Sequence, residues 1–248
     1  MKLVLATGSD KKYYHKILPY LDSVQKNSNF DENYLIYMDE EPIKSAYKKI
    51  KVSHMLKEYC RAPSPINCLQ HGDFLNTKEM LALDDSDVIC FTDGDIILQR
   101  RMTTGELEML RMLGDGDVFV GYNVSPDDNL YDEAQRLTYT GAVVPGLTDI
   151  DLRKIKVYNT GVLAMNKKTW WRQYNDYVSL WDKVDSMFTH YAKQQWLISY
   201  IVNTMGYNVY EMPYQFHSHG HAGVPLGCYF KDGHAMNNGK KILFRHKL

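Results

Sequence analysis

The chain of 248 residues has 29 basic and 30 acidic residues, and this net charge of −1 gives no sign of a nucleic-acid partner. Its 44% hydrophobic and 24% charged residues are typical of a globular protein, and no apolar run is long enough to span a membrane. The four cysteines form no CxxC pair and the apolar N-terminus is too short for a signal peptide, so we expect a cytoplasmic protein with reduced thiols.

The first part of the chain alternates short apolar runs with helical patterns. Helices are expected at 13–26, with a kink or restart at Pro19, and at 74–83, where Lys78 would face whatever lies beside Asp93. A small-residue loop at 7–10 could present backbone N–H groups to a ligand, although it contains neither a dinucleotide nor a Walker fingerprint. Strands are expected at residues 2–6, 34–37 and 48–55.

The most informative stretch is the apolar run 88–91, which predicts a strand buried on both faces and leads into Asp93-Gly94-Asp95. Two carboxylates leaving one core strand would be too close to ionise together without a cation. Their hard oxygens suit Mg²⁺ or Mn²⁺, and a cation held by so few carboxylates commonly also binds substrate phosphates. The alternative is an acidic turn without a metal, because Asp-Gly is a frequent turn dipeptide.

Strands and helices continue to alternate in the second half, which predicts an α/β fold with a mostly parallel sheet. Residues 123–156 are irregular and predict a functional loop or lid. The aromatic stripe of the helix at 168–184, which includes Val178, predicts core packing and not a sugar platform. The other expected elements are a helix at 104–113 with Thr104 as its N-cap, a helix at 191–205, and strands at 117–121, 157–165 and 208–211.

The C-terminal tail, residues 214–248, holds five of the nine histidines and five basic residues against one acidic residue. Such a tail could be a solvated terminus, or it could close over a diphosphate beside a bound cation. The apolar run 242–244 could anchor His246 in the sheet. The histidines His217, His219 and His221 could bind a metal alone, but their spacing matches no zinc signature.

Two further short motifs contain hydrogen-bonding groups. Asn159-Thr160-Gly161 at the head of a strand has groups suited to sugar hydroxyls, and a β-bulge is the equal alternative. Gln194-Gln195 lies near the start of a helix and needs no function by itself.

The order of these motifs from Lys2 to His246 resembles the nucleotide-sugar glycosyltransferases of the GT-A fold, most closely the retaining enzymes of family 8. The resemblance implies a GT-A (Rossmann-like) mixed, mostly parallel sheet flanked by helices, in a single domain. Residues 1–100 would form its nucleotide-binding half, and residues 101–248 its acceptor half and C-terminal lid.

The resemblance also implies roles for the matching residues. Asp93, Asp95 and His246 would hold Mn²⁺ or Mg²⁺ on the donor diphosphate, and His217, His219 and His221 remain alternatives for the third ligand. Gln195 and Asp95 would stand at the reacting centre. Further donor contacts are implied for Ala6, Thr7, Tyr14, Lys78, Asn159, Gly161 and Gln194.

Two departures from the family pattern affect these roles. Gln194 stands where the family has a sugar-binding Asp, and the family's His-x-x-Gly-x-x-Lys-Pro-Trp motif is not found. Because Gln195 is an amide and not a carboxylate, we expect retention, with the leaving phosphate accepting the acceptor's proton. Inversion would need a carboxylate near Gln195, for which Asp182 and Asp185 are the candidates.

We therefore expect a metal-dependent glycosyltransferase that moves a sugar from a nucleotide-diphosphate donor, most simply a UDP-sugar, to a glycan, lipid-linked or protein acceptor. A nucleotidyltransferase acting on sugar phosphates would use similar carboxylates, but it is disfavoured because no glycine-rich loop with Lys or Arg follows the first strand. A non-catalytic nucleotide-sugar-binding protein of the same fold is the third possibility.

Overall fold

The computed structural model describes most of the chain as one α/β arrangement. The strands are β1 (Leu3–Ser9), β2 (Glu32–Tyr37), β3 (Lys48–Lys51), β4 (Val88–Thr92), β5 (Ile96–Leu98), β6 (Asp117–Tyr122), β7 (Tyr158–Asn166), β8 (Asn208–Glu211), β9 (His217–Ser218), β10 (Cys228–Lys231), β11 (His234–Asn237), β12 (Lys240–Lys241) and β13 (Phe244–His246). The α-helices are α1 (Tyr14–Asn27), α2 (Lys78–Leu81), α3 (Thr104–Arg111), α4 (Leu130–Arg136), α5 (Lys167–Met187) and α6 (Lys193–Thr204). The described residues are 1–9, 14–37, 47–51, 73–123, 127–136, 141, 143–144, 147, 149–188, 193–219, 223 and 225–246.

The main sheet has seven strands in the order β3-β2-β1-β4-β7-β6-β8. Only β7 is antiparallel to its neighbours, so the expectation of a mixed, largely parallel sheet flanked by helices is confirmed. After β1 the chain adds β2 and β3 on one side of it, and β4 then pairs with its other side. In open α/β sheets ligands bind outside the carboxyl ends of the strands at such a reversal, which here lies between β1 and β4.

Apolar side chains cover both faces of the sheet. One face packs against α2, α4, α5 and α6, and the other against α1, α3 and the C-terminal strands. The aromatic residues Trp170, Tyr177 and Trp181 of α5 are buried in the first of these layers, as predicted, whereas Val178 on the same helix is 48% exposed. No helix in the described ranges is long and apolar enough to cross a membrane.

Several local predictions were wrong. The loop expected at 7–10 is strand as far as Ser9, because β1 pairs with β2 up to that residue. Helix α1 does not restart at Pro19 but continues through it. Thr103, not Thr104, caps α3, because it forms a reciprocal capping box with Glu106. The helix expected at 74–83 is split into a 3₁₀ turn, Asp73–Asn76, and α2, because the side chain of Thr77 caps a new helix.

The segment predicted to be irregular and the C-terminal tail both contain regular elements. Residues 123–156 contain α4 and the 3₁₀ turn Leu152–Lys154, and 124–126, 137–140, 142, 145–146 and 148 lie outside the described residues. The tail contains five short strands, and Leu243 and Phe244 are buried in the core. The described part of the tail is therefore not a solvated terminus.

Candidate metal centre

The carboxyl end of β4 places two acidic side chains at the reversal point of the sheet. The backbone N–H of Asp93 donates to the carbonyl of Gly161 on β7, at 2.9 Å, and the N–H of Ile96 donates back to the carbonyl of Asp93, at 3.2 Å. The second bond closes a tight turn in which Asp95 is exposed and Asp93 is half-buried. The chain then continues directly into β5.

The tail brings an imidazole to the same place. β13 pairs antiparallel with β5 so that His246 lies opposite Ile96, the residue that follows Asp95. One potential ligand atom from each of Asp93, Asp95 and His246 lies within 4.8 Å of the other two. The apolar run 242–244 is buried and holds His246 in place, as predicted, but β13 belongs to the small sheet β5-β13-β9 and not to the main sheet. The three proposed ligands lie side by side.

The chemistry of this donor set fits a divalent cation. Two carboxylates favour Mg²⁺ or Mn²⁺, whereas an imidazole is a ligand more typical of transition metals. The combination therefore favours Mn²⁺ over Mg²⁺. Three protein ligands would leave coordination positions for water or phosphate oxygens, as in sites that bind substrate phosphates.

Gly161 makes room for the third ligand. A Cβ at this position would lie 2.8 Å from Cε1 of His246 and closer still to its Nε2. The N–H of Gly161 donates to the Oδ1 of Asn159 at 3.0 Å, so this side-chain oxygen is already engaged. The pairing register of β6 and β7 shifts between Val120 and Gly121, which fits the alternative of a β-bulge at this motif. The role of Asn159 and Gly161 in binding a sugar stays a prediction.

Two more histidines lie close to His246. The ring centroids of His217 and His219 lie 4.9 Å and 5.5 Å from that of His246, and 5.0 Å from each other. His217 is completely buried, and burial, reinforced by His246 and His219, lowers its pKa well below the usual 6.5. The Nε2 of His219 lies 2.8 Å from the carbonyl of Tyr122. The candidate third ligand is therefore His246, and His221 lies outside the described residues.

The residues predicted to contact the nucleoside, and Lys78, which was predicted to contact the donor, lie on β1, α1 and α2. Ala6 and Thr7 are fully buried on β1, and the Thr7 hydroxyl donates to the carbonyl of Thr92 at 2.9 Å, immediately before Asp93. Tyr14 begins α1, but its side chain lies outside the described part of the molecule. The side chain of Lys78 is 91% exposed and lies 3.8 Å from Glu79, and no described contact joins it to Asp93.

Helix α6 packs against the start of β7. The side chain of Asn203 donates to the carbonyl of Lys156 at 2.9 Å, and the hydroxyl of Ser199 accepts from the N–H of Tyr158 at 3.0 Å. Gln195 lies one helical turn before Ser199.

A carboxylate that the sequence analysis missed lies against Gln195. The Nε2 of Gln195 donates to Glu133 of α4 at 3.4 Å, and Arg136 donates to the other oxygen of Glu133 at 2.9 Å. Asp182 is exposed on α5, and the side chain of Asp185 is outside the described part. Glu133 was missed because it lies 62 residues before Gln195 in a segment predicted to be irregular. Gln194, which was also predicted to contact the donor, is buried, with 5% of its surface exposed.

The chain matches no protein-family model and no curated protein.

Proposed function

We propose that this protein is a divalent-cation-dependent glycosyltransferase that uses a nucleotide-diphosphate sugar, most simply a UDP-sugar. The observation that supports the proposal best is the convergence of Asp93, Asp95 and His246 where the order of the parallel strands reverses. This is where α/β sheets bind phosphorylated ligands. The choice of a sugar donor rests on the order of motifs along the chain.

Asp93, Asp95 and His246 would hold the cation, which would neutralise charge that develops on the leaving diphosphate. Gly161 admits the imidazole of His246 and accepts the N–H of Asp93, so one strand residue orders two of the ligands. Preorganised ligands need no rearrangement when the donor binds, which lowers the cost of binding.

Gln195 would orient the donor sugar. Its Nε2 donates to Glu133, so its Oε1 is the atom directed away from that carboxylate. A carbonyl oxygen in that orientation would stabilise positive charge at the anomeric carbon. We propose transfer with retention on this basis, with Glu133 as the base if the reaction instead inverts.

The test begins with metal-stripped protein, whose Mn²⁺ binding is titrated by electron paramagnetic resonance. Nucleotide sugars are then screened for Mn²⁺-dependent release of nucleotide. Asp95→Ala should abolish both signals while the protein stays folded, because Asp95 is exposed. Asp149→Ala, which removes another exposed acid, should change neither.

Each outcome of this screen has a definite meaning. Full turnover in EDTA, or in Asp95→Ala, would contradict the proposal. Metal-dependent binding of a nucleotide sugar without any hydrolysis or transfer would instead identify a non-catalytic binding protein of the same fold.

A further inference from the structure

A cluster of basic side chains lies on the C-terminal strands, away from the candidate metal centre. We call it the basic patch and define it by Lys26, Lys231, His234, Lys241 and Arg245. It combines the last turn of α1, the three-stranded sheet β10-β11-β12, and β13.

The strand register places three members on one face of the small sheet. Lys231 pairs with His234 across the β10–β11 hairpin, and Met236 pairs with Lys241. Paired residues, and residues two apart on a strand, share a face. The Nζ of Lys241 lies 3.0 Å from the Nε2 of His234, so these side chains are in direct contact.

Arg245 joins the patch from β13. Its guanidinium donates to the carbonyl of Gly233 in the hairpin turn. Successive residues of a strand point to opposite faces, so Arg245 leaves β13 on the face opposite His246. β13 therefore separates the basic patch from the candidate metal centre. The Nε of Arg245 is buried and has no hydrogen-bond partner among the described residues.

The charges around His234 are nearly all of one sign. After burial, the largest influences that lower its pKa are Lys241 and Arg245, with a smaller one from Lys26, and Asp232 is the acid that opposes them. Within the described part of the chain, none of the patch's lysines, nor Arg245, forms an ion pair with a carboxylate. The sequence shows the same segregation, because residues 214–248 have five basic residues against one acidic residue in a chain of net charge −1.

We propose that the basic patch binds a phosphate group, carried either by a soluble anion or by a phospholipid headgroup. Like charges held together repel, and a bound phosphate anion reduces that repulsion while it accepts charge-assisted hydrogen bonds. Apolar side chains adjoin the patch: Tyr229 on the same face is 42% exposed, and Leu226 just before β10 is 76% exposed. Exposed apolar side chains beside a basic patch would contact a lipid surface, so the test includes lipid vesicles as well as soluble phosphate.

The experiment uses full-length protein in EDTA, so that metal-dependent binding at Asp93, Asp95 and His246 does not contribute. One arm titrates inorganic phosphate and pyrophosphate by calorimetry. The other measures co-flotation with vesicles of phosphatidylglycerol, with phosphatidylcholine vesicles as the reference. We expect binding in at least one arm, and we expect it to weaken as salt increases.

The variant Lys231→Ala/Lys241→Ala should weaken this binding roughly fivefold for each lysine removed, with an unchanged melting temperature. The matched control Lys154→Ala/Lys183→Ala removes two exposed lysines elsewhere and should bind like the wild type. Binding in the calorimetric arm indicates a soluble phosphate, and binding to anionic vesicles alone indicates a lipid headgroup. Absence of binding in both arms, or an equal loss in the control, would overturn the proposal. The test uses no metal and no nucleotide sugar, so its outcome is independent of the proposed glycosyltransferase activity.

Discussion

The imidazole of His246 occupies the space that a side chain on Gly161 would need, since an added Cβ would lie 2.8 Å from its Cε1. The two residues belong to strands of different sheets, β7 and β13, and are 85 positions apart in the sequence. The main sheet and the tail are therefore in contact beside the carboxylates of Asp93 and Asp95.

Gly161→Ala should weaken Mn²⁺ binding at least about tenfold, which corresponds to roughly 1.4 kcal/mol, because His246 must move to admit the methyl group. The measurement is the free Mn²⁺ signal in electron paramagnetic resonance during a titration. Gly105→Ala is the matched control, because a Cβ there meets nothing within 4 Å, and it should bind like the wild type. Wild-type affinity in Gly161→Ala would contradict the proposed role of this glycine.

Gln195→Ala should reduce turnover only modestly, because the loss of one hydrogen bond costs roughly 0.5–1.5 kcal/mol, or up to about tenfold in rate. We predict net retention of anomeric configuration, to be read from the anomeric proton coupling of the product formed from a pure α-linked donor. A β-linked product would contradict retention. In that case Glu133 would be the candidate base, and Glu133→Gln should abolish transfer.

Gln99 links β5 to the tail through a side chain that is 7% exposed. It donates to the carbonyls of Ala235 and Ile242, at 3.1 Å and 2.8 Å, and accepts from the N–H of Ala235 at 2.9 Å. Gln99→Leu should lower the free energy of unfolding by roughly 1–3 kcal/mol for each backbone group left unpaired. Urea denaturation measures this loss, and Gln25→Leu on the exposed side of α1 is the control. Equal stability of the two variants would show that Gln99 is not a structural link.

Stability should depend on pH through Glu32. Burial alone would raise the pKa of Glu32, but hydrogen bonds from Lys48, Tyr34 and Lys2 lower it from 4.5 to about 2. A carboxylate with a depressed folded-state pKa stabilises the protein above its unfolded-state pKa, and this contribution is lost as the pH falls from about 4.5 towards 2. Glu32→Gln should therefore be less stable than the wild type at pH 7, and the difference should shrink below pH 4.5.

Urea denaturation at pH 7, 4 and 3 would follow the effect of Glu32→Gln. Asp22→Asn, which changes an exposed acid on α1, is the control. The free energy of unfolding of Glu32→Gln is compared with that of the wild type at each pH. If the difference stays constant from pH 7 to pH 3, the ion pairs of Glu32 are not its cause.

Deletion of residues 234–248 would not test whether the tail closes over a donor. The segment includes Leu243 and Phe244, which are buried, and Phe244 pairs with both β5 and β9. Loss of one buried Phe side chain alone costs roughly 3–5 kcal/mol. The truncated chain would therefore lose stability before any effect on donor binding could be measured. Closure of this segment over a donor stays a prediction.

Periodicity and local chemistry in the sequence were enough to determine the class of fold. The buried run ending at Thr92 has apolar side chains on both faces, which requires a central strand with layers on each side, and the alternation of strands and helices favours parallel pairing. The sequence also placed Asp93 and Asp95 together, because two residues separated by one glycine after a strand cannot be far apart.

Only the tertiary structure determined which distant residues lie beside Asp93, Asp95 and Gln195. The pairing of β13 with β5 selected His246 over His217 and His219, and the packing of α4 against α6 brought Glu133 to Gln195. Contacts of this kind depend on strand register and helix packing across the chain, and a shift of one residue in β13 would have turned Arg245 to the position of His246. No local sequence pattern determines that register, because it results from the burial of Leu243 and Phe244 and from the hydrogen bonds of Gln99.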